Sequence, residues 1–109
     1  MFTFYEDLVE TIALVHVSCT VITRHDADLA RQIRRAVTSV GLNAAEGLHA
    51  RGGNRRIRLE SAMNSGRETI FGLRIAGAVG YLEAARVLRE VDEVDHIVAI
   101  LYKLSRKPG

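Results

Sequence analysis

The chain has 109 residues, 48% of them apolar, with a formal charge of +2 and a single cysteine. A domain this small buries only about two-thirds of its unfolded surface, so it must use nearly every apolar residue or share a core with a partner. Cys19 alone excludes an internal disulfide and a cysteine-based zinc site.

Tryptophan is absent and the one proline is Pro108, so no proline interrupts the long apolar-periodic segments and the chain reads as all-α. The first helix is expected from about Phe4 to Ile22, because Leu8, Ile12, Val15, Cys19 and Ile22 alternate spacings of four and three. That pattern lines one helix face along a bundle core, and Cys19 is expected to be a packed thiol within it. Glu6 and Asp7 stand where a secretory signal would be basic, and Glu10 and His16 interrupt the apolar run. Neither a signal peptide nor a membrane span is expected, and cytoplasmic residence follows.

Arg24, His25 and Asp26 form a first joint, with Asp26 or Asp28 as N-cap of the second helix. That helix should reach about Glu46 and turn inward Leu29, Ile33, Ala36, Val40 and Ala44 (or Val37). Gly47 begins its end, and Arg51-Gly52-Gly53-Asn54 reads as a breaker, with Asn54 capping the third helix. The third helix turns inward Leu59, Ala62 or Met63, Gly66, Ile70, Leu73 and Gly77. Glycine costs roughly 0.5–1 kcal/mol in a helix relative to alanine. On the seam it permits close approach of backbones; the alternative is a locally loose helix.

Gly77-Ala78-Val79-Gly80 reads as the third joint, and the fourth helix runs from about Leu82 to Ser105 with Val87, Val91, Val94, Val98 and Leu101 inward. Lys103, Arg106 and Lys107 suit the negative end of its dipole. Short joints force neighbours antiparallel, so residues 1–109 are expected to form a single up-and-down antiparallel four-helix bundle.

Further apolar residues fall outside these seams: Leu14, Val17 and Val21 on the first helix, Phe71 and Ile75 on the third, and Ile97, Ile100 and Leu104 on the fourth. A contiguous exposed apolar patch usually marks an interface, so these stripes are expected to join copies of the chain. Membrane-surface binding is not expected, because the basic residues belong mainly to the middle helices.

Two Glu-x-x-His pairs, Glu46/His49 and Glu93/His96, have the spacing of di-iron bundle ligands. Glu93 and His96 lie away from the Val91–Val94–Val98 seam and His49 falls at the end of its helix, so no metal is expected. His16 and His25 read as structural or solvated. Gly52-Gly53 follows no strand, which removes the phosphate-loop reading. No catalytic residue and no cofactor are expected.

A polar stripe runs beside the second seam, through Gln32, Arg35, Ser39, Asn43 and Glu46, and Ser61, Ser65 and Glu68 form a similar stripe on the third helix. It reads either as a network joining helices or subunits or as a recognition face. The run Gln32-x-Arg34-Arg35-Ala36-x-x-Ser39-Val40-x-x-Asn43-x-Ala45-Glu46-Gly47 resembles the signature of bacterial four-helix-bundle proteins associated with 23S rRNA intervening sequences. Ala62-x-Asn64-Ser65-x-x-Glu68 is similar to that family's Ala-x-Gly-Ser-x-x-Glu, and Gly80-Tyr81-Leu82 to its third joint. The chain departs from the pattern at Asn64, in place of Gly, at Gly66 and Thr69, in place of apolar residues, and in lacking a proline before the second helix.

The resemblance implies a ring, typically a pentamer, without established enzyme activity. Some members are encoded inside rRNA intervening sequences, and related accessory proteins of diversity-generating retroelements bind nucleic acid and a reverse transcriptase. Arg31, Arg34, Arg51, Arg55, Arg56 and Arg58, repeated around a ring, are the residues expected to contact RNA or DNA phosphates. The rival expectation is a protein-binding scaffold without a nucleic-acid role.

Overall fold

The computed structural model describes residues 3–107, with Pro108 outside that range. It contains four helices, α1 (Phe4–Thr23), α2 (Ala27–His49), α3 (Gly52–Ala78) and α4 (Ala84–Ser105). Contacts between α1 and α2, α2 and α3, and α3 and α4 are extensive, whereas α1 and α4 meet over a much smaller seam. The result is an up-down-up-down bundle. None of the four helices is long and apolar enough to cross a membrane.

Local chemistry sets most helix ends. Thr3 and Glu6 form a capping box: the Glu6 amide donates to Thr3 Oγ1 (3.2 Å) and the Thr3 amide to Glu6 Oε2 (3.3 Å). Of the two candidate caps for α2, Asp26 takes the position and accepts from the Leu29 amide at 3.0 Å. The end of α3 is a Schellman motif. The Tyr81 amide donates to the Ala76 carbonyl (2.8 Å) and the Gly80 amide to the Gly77 carbonyl (3.2 Å), around Gly80 at φ +83°. Tyr81 then stacks on His25 with ring centroids 5.0 Å apart, tying the first and third joints together at one end of the bundle.

The second joint is shorter than expected. Arg51 is the N-cap of α3 without a side-chain cap bond, and Gly52, at φ +60°, begins the helix. The glycine reverses the chain within one residue, so Gly53 and Asn54 form the first helical turn and Asn54 is not the cap. At the start of α4 the opposite holds. Leu82 lies in the joint, 6% exposed, anchoring it to the core before the helix begins at Ala84.

Leu8, Val15, Cys19 and Ile22 from α1, Ile33, Val37 and Val40 from α2, Leu59 and Leu73 from α3, and Val94 and Leu101 from α4 are buried together. Ile12, Leu29, Ile70, Val87 and Val91 flank them, partly buried. The inward glycines of α3 are sites of close approach. A Cβ on Gly66 would stand 2.5 Å from Val98 Cγ2, and one on Gly72 would stand 2.6 Å from Ile33 Cγ1. Thr69, where the family carries an apolar residue, is fully buried and donates to the Ser65 carbonyl at 2.8 Å, so its hydroxyl is satisfied within its own helix.

The outer apolar stripes need correction. Ile97 is 1% exposed and belongs to the core, and Val21 and Leu104 pack against that core. Leu14 and Ile100 are half-buried. Each helix of a bundle touches two neighbours, so its apolar arc is wider than one seam. Of the expected set only Val17 (53% exposed), Phe71 (67%) and Ile75 (38%) are exposed; Leu88 (72%), Val9, Leu42 and Ile57, outside it, are exposed as well.

Candidate functional site

The polar stripe of α2 and α3 faces a groove of about 390 Å³, with Gln32, Arg35 and Ser39 on one wall and Ser65 and Glu68 on the other. Ser65 Oγ donates to Ser39 Oγ (3.0 Å), and Asn43 Nδ2 donates to Ser39 Oγ (2.9 Å) and to the Ser39 carbonyl (3.1 Å). Arg58 extends the chain, donating from Nη1 to Asn43 Oδ1 (3.4 Å) and from Nε towards Glu46 Oε2 (3.3 Å). Thus one end of the stripe is a hydrogen-bonded seam between helices. At the other end Gln32 Nε2 donates to Asp28 at 2.9 Å. Between them Arg35 and Glu68 face the groove without a hydrogen-bond or ion-pair partner among the described residues.

The six arginines expected to meet phosphate fall into distinct environments. Arg31 pairs with Asp28, and Arg56 Nε lies 3.5 Å from Glu60, both pairs being one helical turn apart and exposed. Arg34 donates to Thr23 Oγ1 at 3.3 Å. Exposed pairs of this kind contribute about 0–1 kcal/mol each, so their arginines exchange partners at little cost. Arg51, exposed at the second joint, has no side-chain partner among the described residues.

Arg55 differs. It is half-buried and donates to the Leu48 carbonyl (3.4 Å) and the Leu104 carbonyl (3.5 Å), reaching the last turns of both α2 and α4. The Leu104 carbonyl also accepts the Lys107 amide at 3.3 Å, and a guanidinium at these last turns answers the negative helix end. Arg55 is a staple between two helix ends.

The histidines are dispersed. His16 Nε2 and Thr38 Oγ1 are 3.1 Å apart across α1 and α2, His25 stacks on Tyr81, and His49 stacks on Tyr5 with centroids 6.4 Å apart. Glu93 and His96 lie near Asp7 and Thr11 on the α1–α4 side. Among the described residues no three His, Cys, Asp or Glu side chains come together in a way that could hold a metal ion.

One polar centre escaped the sequence reading. Glu90 is fully buried between α1 and α4; Ser18 Oγ donates to its Oε2 at 2.6 Å and Arg86 Nε at 3.2 Å. Its Oε1 has no partner among the described residues. The only signal was positional, since Glu90 stands one turn before the seam residue Val94 and one turn after Arg86. Nearby, burial pushes the Cys19 thiol up from an ordinary 9.0 to about 11; Arg34 opposes the shift and Glu90 adds to it.

A family profile described as 23S rRNA-intervening sequence protein matches residues 6–103. The chain is also similar to a solved structure from Bacteroides thetaiotaomicron, a protein of unknown function from the S23 ribosomal protein family. The two share 17% identity at a TM-score of 0.87, over 96% of this chain and 100% of the other. That likeness supports the same fold. No curated protein matches the chain. With the profile spanning nearly its whole length and the bundle geometry in agreement, the chain belongs to the 23S rRNA-intervening sequence protein family.

Proposed function

We propose that the protein is a non-enzymatic, self-assembling bundle that binds nucleic acid through phosphate contacts. The observation that carries this reading is the set of exposed arginines at the α2–α3 joint and along α2. Arg51 has no side-chain partner among the described residues, Arg31 and Arg56 are held only by weak exposed pairs, and the half-buried Arg34 holds only the Thr23 hydroxyl. A cyclic assembly, a pentamer by analogy with the family, repeats this modest charge around a ring and so raises local phosphate affinity. Fixed hydrogen bonding along Ser39, Asn43 and Ser65 favours a structural role for that part of the stripe.

The test is binding of fluorescent RNA and DNA followed by anisotropy across a salt series. Affinity should fall steeply with salt, with a log–log slope of roughly −0.7 to −0.9 per phosphate contacted. Arg51→Glu with Arg56→Glu should weaken binding of every sequence and flatten that slope, while leaving Arg55 and the fold intact. Absence of salt-sensitive binding to either nucleic acid would refute the reading and leave the scaffold alternative, in which the groove containing Arg35 and Glu68 receives another protein.

A further inference from the structure

A largely apolar surface lies between the end of α3 and the start of α4. A cavity of about 300 Å³ is floored by Gly77, Ala78, Val87 and Val91. Exposed Leu88 and Arg74 flank it, and Phe71 and Ile75 stand exposed on α3 nearby. Arg67, also exposed, lies two turns before Arg74 on the same side of α3.

The outer face of α1 has complementary chemistry. Val9 (66% exposed) and Val17 (53%) stand out from it with exposed Ala13 between them, and Glu6 and Glu10 flank this strip. Glu10 has no ion-pair partner among the described residues, nor has Arg74; Arg67 holds only the Asn64 side chain, at 3.1 Å.

The heights of these groups can be read from contacts across the bundle. Ser18 of α1 stands against Glu90 of α4, while Gly77 and Gly66 of α3 stand against Val87 and Val98 of α4. Counting along the antiparallel helices, Glu10 is level with Val98 and so with Gly66–Arg67. Val17 is level with Val91 and so with Leu73, between Phe71 and Ile75. A rotation axis running along the bundle leaves heights unchanged. Neighbouring copies in such a ring therefore bring a carboxylate level with a guanidinium and an exposed valine level with exposed Phe71 and Ile75.

We infer that the outer face of α3 around Arg67, Phe71 and Ile75, beside the α3–α4 groove, is the docking site for the outer face of α1 from a second copy of this chain, with Glu10 of one copy meeting Arg67 of the next and Val17 meeting Phe71 and Ile75. The inference rests on the self-assembly reading above and names its surfaces. The α3 face and the α1 strip are different surfaces of one protomer, so the contact is head-to-tail, and it closes into a ring when the rotation permits. The apolar pairing supplies the affinity, and the charge pair fixes register and excludes the wrong partner.

The experiment is a charge exchange, read by sedimentation over a range of protein concentration. Arg67→Glu alone and Glu10→Arg alone should each raise the midpoint of assembly about tenfold or more, because each sets like charges against one another. The double variant Glu10→Arg/Arg67→Glu should return towards the wild type. Val17→Asp should weaken assembly in either background, and circular dichroism should show every variant helical. A wild type that assembles but is indifferent to both single exchanges overturns this docking site while leaving self-assembly standing. A wild type that stays monomeric at every concentration overturns both.

Discussion

The buried Glu90 centre allows a strong test of how this bundle holds α1 against α4. The Glu90 side chain is 1% exposed and that of Arg86 is 26% exposed, so the pair lies at the inner edge of the seam. Arg86→Ala leaves the carboxylate inside the protein with one remaining donor, Ser18. Breaking a buried ion pair in this way costs about 3–5 kcal/mol. Arg86 is a quarter exposed, and water entering its place solvates part of the charge, which brings the expected loss to just below that range, about 2–3 kcal/mol. At about 4 °C per kcal/mol for a domain of this size, the melting temperature should fall by about 10 °C.

Glu90→Leu removes the buried charge with little change of volume. Arg86 can then turn to solvent, and Ser18 can bond within its own helix, so this variant should lie within about 1 kcal/mol of the wild type. In the double variant Arg86→Ala/Glu90→Leu the arginine no longer has a buried charge to answer, so its loss should add little. The assay is urea unfolding followed by circular dichroism, with protein concentration fixed because self-assembly would shift the transition. High salt should alter the Arg86→Ala penalty only slightly, in contrast to an exposed pair. A penalty below about 0.5 kcal/mol for Arg86→Ala, or a double variant equal to the sum of the singles, would refute a buried and coupled pair.

Cys19 should resist thiol reagents in the native state near neutral pH and react at once in denaturant, because burial holds its thiol protonated up to about 11. Since the folded value is the higher one, its stabilising contribution is complete below 9.0 and is lost as pH rises from there towards about 11; Cys19→Val should remove that part of the alkaline decline in urea midpoint. Gly72→Ala places a Cβ 2.6 Å from Ile33 Cγ1, close to the α2 backbone, and overpacking of about 1–3 kcal/mol should exceed the roughly 1 kcal/mol gain in helix propensity. Adding Ile33→Ala should then cost less than it does in the wild type, a comparison made by denaturant midpoints. Arg55→Ala should lower stability by about 1 kcal/mol through loss of its two long carbonyl bonds, whereas Arg51→Ala and Arg56→Ala should leave the melt within about 0.5 kcal/mol of the wild type.

The inward seams were legible because a bundle core repeats every three and four residues, and Leu8, Val15, Cys19 and Ile22 carry that repeat without interruption. α3 was harder to delimit. Its buried face includes Ala62, Gly66, Gly72 and Ala76, whose small side chains blur the contrast between faces. Gly52 and Gly53 looked like a loop because paired glycines usually are one, yet a single positive φ completes the reversal and the helix starts immediately. Ile97 falls outside the Val94–Val98–Leu101 seam in the sequence, yet it is buried. A residue about 100° from that seam faces the second neighbour, which a periodicity count alone does not distinguish from solvent.

The arginines show why charge was less informative than pattern. In the sequence Arg51, Arg55 and Arg56 form one basic run with equal claims on a phosphate. In the fold they diverge, because Arg55 sits where α2 and α4 both end and donates to a main-chain carbonyl in the last turn of each. Arg56 faces Glu60 one turn on, and Arg51, one residue before the helix, faces solvent. A main-chain carbonyl leaves no mark in a sequence, and neither does a serine from a distant helix, so Arg55 and Glu90 could not have been assigned from residue type. Variants that replace the whole basic run would therefore mix loss of a helix staple with loss of phosphate contact. Separating Arg55 from Arg51 and Arg56 turns the nucleic-acid proposal into a question about binding alone.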